Sequence, residues 1–227
     1  MVKIQHVDEG MPYTIIFPAP LKKTKKYPLI LFLHGAGERG VDNQKHLIHV
    51  VPHLISDSIQ KEFASIILVP QCPEDEYWAP VKRNEWMMSD NGTITNPMEK
   101  VIRILDKVKQ DERVDQHKIY VVGLSMGGFG TCDIIARKPE IFAAAAPICG
   151  GADLSKVDQF KDIPIWVFHG ASDSVVSVTL SRELVFKLQQ SGSKPKYTEY
   201  PGVGHNVWDA AVRDPLFLPW LFKQHKK

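Results

Sequence analysis

Residues 118–128 read Lys-Ile-Tyr-Val-Val-Gly-Leu-Ser-Met-Gly-Gly, an apolar run followed by a serine with glycine two positions before and two positions after it. The run at 118–122 is apolar at nearly every position, which is typical of a strand covered on both faces. A helical stretch follows the glycines and reaches Arg137. This part of the chain therefore predicts a buried strand, a sharp turn at Ser125 and a helix.

The rest of the chain repeats this alternation of strand and helix. Further apolar runs, each interpreted as a strand, occur at 13–17, 28–33, 65–69, 142–148, 163–168 and 196–200. Apolar residues at helical spacing predict helices at 97–110 and 179–190. We therefore expect an α/β fold with a mostly parallel, doubly wound sheet flanked by helices, in a single domain over residues 1–227.

Composition and charge limit the classes of protein that fit. With 28 basic and 26 acidic side chains the formal charge is +2, too small for binding dominated by nucleic acid phosphates. The chain has no apolar run long enough to cross a bilayer, and residues 1–10 lack the apolar core of a signal peptide. We expect neither a nucleic acid partner nor a membrane span, and a cytoplasmic location if the chain is complete or a secreted one if it is an excised mature domain.

The pattern Gly123-x-Ser125-x-Gly127 between a strand and a helix is typical of a nucleophilic serine. Glycine is needed on both sides because the serine sits on a strained turn where neighbouring side chains would clash. A Gly-rich turn before a helix can also bind phosphate, but residues 123–128 do not form a G-x-G-x-x-G motif and no Walker lysine follows them. We expect Ser125 to be the nucleophile.

A serine hydroxyl needs a histidine base that is oriented by a carboxylate. His205 and Asp173 each follow one of the last two predicted strands, and the carboxyl ends of parallel strands meet at one edge of a sheet. We therefore expect His205 to be the base and Asp173 its orienting acid. Asp153 is the rival acid, although its position is more typical of a loop or helix cap, and His169 is expected to brace the acid loop.

The oxyanion that forms during acyl transfer needs backbone N–H donors. We expect one donor to be Met126, at the start of the helix after the turn. The second should come from the glycine-rich segment 34–40, where Ala36 is the choice and Gly37 the alternative. His34 is expected to hold this segment as a hydrogen-bonded structural imidazole.

Together these motifs resemble the α/β-hydrolase superfamily, specifically its small carboxylesterases akin to polyhydroxybutyrate depolymerases, feruloyl esterases and the phospholipase/carboxylesterase group. The matching segments are 33–40, 69–73, 123–128, 147–151, 169–173 and 204–206. The resemblance covers nearly the whole chain. It implies an α/β-hydrolase fold and ester hydrolysis through an acyl-enzyme intermediate, with Ser125, Asp173 and His205 as the triad. We expect no cofactor and no metal ion.

The resemblance also carries expectations about the cleft. Because only residues 150–162 separate two of the predicted strands, no lid domain fits there. The long insertion at 72–97 contains Trp78, Trp86 and Met87, which we expect to wall an open cleft with Trp78 nearest the serine; Trp208 is expected near His205. An equally weighted alternative is that these aromatic residues only pack the insertion onto the body. An open cleft would suit short-chain, aryl or polymeric esters.

The three cysteines, Cys72, Cys132 and Cys149, are too few for a disulfide framework. In the usual strand order of the superfamily, Cys72 and Cys149 follow strands three positions apart, or roughly 14 Å. A disulfide needs Cα atoms within about 7 Å. We therefore expect free thiols.

Other functions remain open at this point. His46, His49 and His53 have a spacing that would put them on one side of a helix, where they could hold a metal, but Pro52 disturbs that helix. The same triad would also serve an acyl-thioesterase or a peptidase. A noncatalytic binding module with a hydrolase fold is a further alternative, since fold does not determine function.

Overall fold

The structure, a computed structural model, describes residues 1–22, 24–82, 85–88 and 92–226. Its strands are Val2–Asp8 (β1), Met11–Phe17 (β2), Tyr27–Leu33 (β3), Ile66–Pro70 (β4), Val81–Lys82 (β5), Met87–Met88 (β6), Val114–Leu124 (β7), Ala144–Ile148 (β8), Trp166–Gly170 (β9) and Lys196–Tyr200 (β10). Its α-helices are Val51–Leu54 (α1), Asp57–Glu62 (α2), Asn96–Val108 (α3), Met126–Arg137 (α4), Val157–Phe160 (α5), Val178–Gln190 (α6), Trp208–Arg213 (α7) and Phe217–Lys223 (α8).

Eight of these strands form one sheet in the order β1-β2-β4-β3-β7-β8-β9-β10. β2 is antiparallel to both β1 and β4, and the pairings from β4 through β3 to β10 are parallel. The mostly parallel sheet expected from the sequence is confirmed. β5 and β6 form a separate antiparallel pair.

Helices cover both faces of the sheet because its inner strands are apolar on both sides. Along β3, Leu29 and Leu31 join one core, whereas Ile30 and Phe32 join the other, as expected when successive side chains point to opposite faces. The first core is closed by α3, α4, α5 and α6, and the second by α1, α7 and α8. Parallel strands buried in this way end at one edge, where loops can meet.

All seven predicted strands are present, with shifts of a few residues at their ends. The edge strand β1 was not predicted: its residues are mostly exposed, and its pairing with β2 rather than an apolar pattern holds it in place. Between β8 and β9 the chain forms only the short 3₁₀ turn Leu154–Lys156 and helix α5. This connection has no lid, as expected.

Three further predictions can be compared with the fold. Cys72, Cys132 and Cys149 are free and buried, and Cys72 and Cys149 follow β4 and β8, which are three positions apart in the sheet. None of the helices in the described part of the chain is long and apolar enough to cross a bilayer. The helix considered for His46, His49 and His53 does not form, because the chain makes a 3₁₀ turn at Lys45–Leu47 and begins α1 only at Val51.

Candidate active site

Ser125 occupies the sharp turn between β7 and α4, with φ 52° and ψ −116°. This left-handed backbone is strained for a residue other than glycine, and the Ser125 N–H is anchored to Ile148 O at 2.8 Å. A Cβ atom on Gly123 would lie 2.1 Å from Gly127 O, and one on Gly127 would lie 1.9 Å from Leu33 O. The two flanking glycines are therefore required by close backbone contacts.

The structure brings Ser125, His205 and Asp173 into one hydrogen-bonded chain. His205 Nδ1 lies 2.7 Å from Asp173 Oδ2, and His205 Nε2 lies 2.9 Å from Ser125 Oγ. Because the ionised carboxylate can only accept, Nδ1 carries the imidazole proton and Nε2 is left to accept the serine proton. The arrangement is the one that a serine nucleophile and its base require.

Asp173 is held as a carboxylate by several donors although its side chain is completely buried. Its Oδ1 accepts hydrogen bonds from the N–H groups of Val175 and Val176 at 2.8 and 2.9 Å. Burial raises the pKa of Asp173, but the hydrogen bonds from His205 and from these two amides outweigh it and leave the pKa below its ordinary value. The group is thus charged at neutral pH and fixes the His205 ring.

His169 braces the acid loop, as expected. Its Nε2 lies 3.0 Å from Val176 O and 3.2 Å from Asp173 Oδ2. Both oxygens are acceptors, so Nε2 carries the proton and Nδ1 accepts from Ser181 Oγ–H at 2.7 Å. Burial lowers the pKa of His169 and keeps the ring neutral.

The rival acid Asp153 lies outside this hydrogen-bonded chain. It is the N-cap of the Leu154–Lys156 turn and accepts from the Ser155 N–H at 3.1 Å and from Ser155 Oγ at 2.6 Å. The capping role considered for it is therefore correct.

The candidate oxyanion donors are the backbone N–H groups of Ala36, which lines the cleft with Ser125, and of Met126, which directly follows Ser125 in the chain. Met126 is the first residue of α4 and Ala36 the first residue of the 3₁₀ turn Ala36–Glu38, positions where the N–H has no partner inside its own helix. The N–H of Gly35 is already engaged by Glu38 Oε2 at 2.8 Å. Of the residues at the start of this turn, Ala36 and Gly37 remain as the candidates for an oxyanion donor.

Buried polar contacts hold the turn from behind. His34 Nε2 accepts from the Cys72 N–H at 3.0 Å, so Nδ1 carries the proton and donates to Gly35 O at 2.6 Å. Burial lowers the pKa of His34 to about 3, and the ring is neutral. Trp78 Nε1–H donates to His34 O at 3.0 Å. His34 is therefore a structural residue, as expected.

The cleft above Ser125 has a volume of about 250 Å³. Its walls are the Gly35–Glu38 segment and the side chains of Trp86, Leu124, Val175, His205 and Trp208. Trp208 meets the His205 ring edge-on at 5.7 Å between centroids, and Val175 is 49% exposed at the rim. The cleft is therefore shallow and mainly apolar.

The structure corrects the expected positions of two residues of the insertion. Trp78 does not line the cleft: it is completely buried, because its indole N–H is needed to satisfy the carbonyl of His34. Met87 lies on β6 with 48% of its surface exposed and is not part of the cleft wall. Trp86 does reach the cleft, where it stacks on Phe129 at 6.1 Å.

The histidines considered as metal ligands have other surroundings. His46 Nε2 is 3.1 Å from Thr14 Oγ1, and His49 Nε2 is 3.5 Å from Glu38 Oε1. Among the described residues, ligand atoms of Cys149, Asp173 and His205 do lie within 4.8 Å of one another. Burial raises the pKa of the Cys149 thiol, however, which disfavours the thiolate that a metal would need.

Comparisons with known proteins agree with this fold. The profile of the phospholipase/carboxylesterase family matches residues 19–215. The chain belongs to this family. Its resemblance to α/β-hydrolases is thereby confirmed.

Relatives of this carboxylesterase-family chain include a thermostable esterase of known structure, which is 38% identical and has a TM-score of 0.89. The alignment covers 99% of this chain and 63% of the esterase. A probable carboxylesterase of Oryza sativa subsp. japonica is 23% identical over 86% of this chain and 87% of that protein. A secreted protein of Arthroderma benhamiae is 27% identical over 89% of this chain but only 24% of its own length. The chain thus spans less than two thirds of the first and third of these proteins.

Three residues of the site, Leu124, Val175 and Glu38, have no role predicted from the sequence. Val175 and Leu124 contribute cleft walls through backbone geometry that no motif records. Glu38 lies inside a quoted motif, and its position three residues after Gly35 is the spacing at which a glutamate can reach back to the first N–H of a turn. That spacing is the sequence feature from which the contact between Glu38 and Gly35 could have been predicted.

Proposed function

We propose that this chain is a serine carboxylesterase with Ser125 as nucleophile, His205 as general base and then acid, and Asp173 as the orienting carboxylate. The observation that carries the proposal is the hydrogen-bonded chain of 2.9 and 2.7 Å from Ser125 Oγ through His205 to Asp173. Ser125 Oγ, at one end of these hydrogen bonds, lies in an apolar cleft near the N–H groups proposed as oxyanion donors. Each requirement of acyl transfer thus has a residue within reach.

The reaction follows from these positions. Ser125 Oγ transfers its proton to His205 Nε2 and attacks the ester carbonyl, and the N–H groups of Met126 and Ala36, with Gly37 as the alternative to Ala36, stabilise the oxyanion. The imidazolium then donates its proton to the departing alcohol, which leaves an acyl group on Ser125. A water molecule, deprotonated by the same Nε2, attacks the acyl-enzyme; the bond between the acyl group and Ser125 Oγ breaks, the imidazolium returns its proton to Oγ, and the carboxylic acid is released.

The size and lining of the cleft support a short acyl group or a single aromatic ring as the preferred acyl part. At about 250 Å³ the cleft is smaller than a pocket for a drug-sized ligand, and Trp86 and Trp208 offer flat apolar surfaces. The exposed rim at Val175 leaves the alcohol part free to extend into solvent. Small, aryl and polymer-linked esters are therefore all proposed substrates.

The test is a substrate panel run on wild type and on Ser125→Ala. The panel crosses acyl length with alcohol type and includes p-nitrophenyl esters, hydroxycinnamate esters, insoluble polyester and acyl-thioesters. We expect Ser125→Ala to lower kcat on a short p-nitrophenyl ester by on the order of 10⁶-fold. A rate within tenfold of wild type would contradict the proposal, and a preference for thioesters over matched oxygen esters would change the substrate class.

A further inference from the structure

Glu38 is an acidic side chain that lines the cleft but has no role in the proposed reaction. It lines the cleft with Ser125 and His205, although its side chain is only 9% exposed. A carboxylate is unexpected here, because negative charge develops on the ester oxygen in the transition state and like charges repel. Its presence at this point calls for a physical reason.

Both carboxylate oxygens of Glu38 have partners within the protein. Oε2 accepts a hydrogen bond from the Gly35 N–H at 2.8 Å. Oε1 lies 3.5 Å from His49 Nε2, and Trp208 packs on the His49 ring at 5.3 Å between centroids. The carboxylate is therefore held from two sides and directed at the protein rather than at a substrate.

The bond to Gly35 closes the turn that carries the candidate oxyanion donor. The Glu38 N–H also returns to Gly35 O at 3.4 Å, so main-chain and side-chain bonds link the same two residues. Gly35 lies tightly against the serine turn, since an added Cβ would be 2.7 Å from Leu124 Cδ1 and 3.7 Å from Ser125 Cβ. A change in this turn would shift the Ala36 N–H relative to Ser125.

We infer that Glu38 is a positioning residue for the oxyanion hole, whose carboxylate anchors the Gly35 N–H and thereby holds the Ala36 N–H in place for the oxyanion of an ester substrate. The inference rests on the proposed function. The reach of the acceptor oxygen, rather than the charge, does the positioning. A neutral acceptor of the same length therefore serves, and a shorter carboxylate does not.

Three variants separate reach from charge. Glu38→Gln keeps the length and an acceptor oxygen but loses the charge, Glu38→Asp keeps the charge but is one methylene shorter, and Glu38→Ala loses both. Glu62→Ala, at an exposed carboxylate on α2, is the matched control. For each variant, kcat and KM are measured with p-nitrophenyl butyrate together with the inhibition constant of phenylboronic acid. The boronate adduct on serine places an oxygen where the oxyanion forms.

We expect kcat of Glu38→Ala and Glu38→Asp to fall by about 10- to 100-fold, somewhat less than the loss of a whole donor, with KM within about threefold of wild type. Glu38→Gln should stay within about fivefold of wild type, because its amide oxygen still accepts from Gly35. Affinity for the boronate should fall in proportion to kcat, which a general loss of stability would not produce. The control should match wild type.

Glu38→Asp with activity equal to or above that of Glu38→Gln would overturn the inference, because charge would then matter more than reach. This comparison decides the question even if Glu38→Ala does not fold. Wild-type kcat in all three variants, with Ser125→Ala inactive, would also overturn it while leaving the proposed function intact. Equal ester hydrolysis by wild type and Ser125→Ala would instead be a failure of the proposed function.

Discussion

Replacing Asp173 by asparagine should reverse the hydrogen-bonding polarity of His205. Oδ1 of Asp173 accepts from two backbone N–H groups, so the amide oxygen of the new side chain must occupy that place. The amide NH₂ then takes the place of Oδ2 and points a donor at His205 Nδ1. Because two donors cannot pair, the imidazole must move its proton to Nε2, which faces Ser125 Oγ at 2.9 Å.

With its proton on Nε2, His205 cannot accept the proton of Ser125. Loss of the correct tautomer in a serine–histidine–aspartate site lowers kcat by about 10⁴-fold, which corresponds to about 5.4 kcal/mol of the activation barrier. The effect should appear in kcat rather than in KM, because Asp173 has no exposed surface in the cleft. We expect the Asp173→Asn variant to remain folded, since both backbone N–H groups keep an acceptor.

The assay is the rate of p-nitrophenyl acetate hydrolysis at neutral pH, with thermal unfolding followed by circular dichroism to confirm the fold. Asp153→Asn is the matched control, because Asp153 caps a surface turn and does not line the cleft, and it should retain activity within about twofold of wild type. A folded Asp173→Asn variant with at least a tenth of the wild-type kcat would refute the tautomer argument. Inactive Asp153→Asn would make the rival acid the correct one.

Two further predictions concern stability. Trp78→Phe should lower the free energy of unfolding by about 1–3 kcal/mol in urea titration, since it leaves the carbonyl of His34 buried without its donor; a several-fold rise in KM with unchanged stability would instead put Trp78 in contact with substrate. The pKa of Asp173 lies below its ordinary value, so its carboxylate stabilises the folded state above the unfolded-state pKa of about 3.9, and this contribution is lost as the pH falls through the lower folded value. The difference in unfolding free energy between wild type and Asp173→Asn should therefore shrink below about pH 3.9, and a difference that stays constant down to about pH 2 would be evidence against that assignment.

Ser125, His205 and Asp173 could be predicted mainly from the topology of the sheet. Each follows a parallel strand, and the carboxyl ends of β7, β9 and β10 meet at one edge of the sheet. The strained turn at Ser125 also leaves a local trace, since only glycine fits at positions 123 and 127. The glycine pattern around Ser125 and the order of the parallel strands therefore both predict a site at the carboxyl edge of the sheet.

The insertion between β4 and α3 could not be predicted in the same way. Trp78 and Trp86 are both aromatic residues in one irregular segment, and neither periodicity nor a motif indicates which one faces inward. Trp78 is drawn into the core by the carbonyl of His34, a contact between residues far apart in sequence. The edge strand β1 could not be predicted either, because its mostly exposed side chains show no apolar pattern in the sequence.

The most direct test of the account is to identify the residue that a fluorophosphonate modifies. Wild type is treated with the reagent, digested and mapped by mass spectrometry, with Asp173→Asn treated in parallel. The account predicts one adduct, on Ser125, that forms as esterase activity disappears and forms far more slowly in Asp173→Asn. An adduct on another residue, or lost activity with Ser125 unmodified, would contradict it.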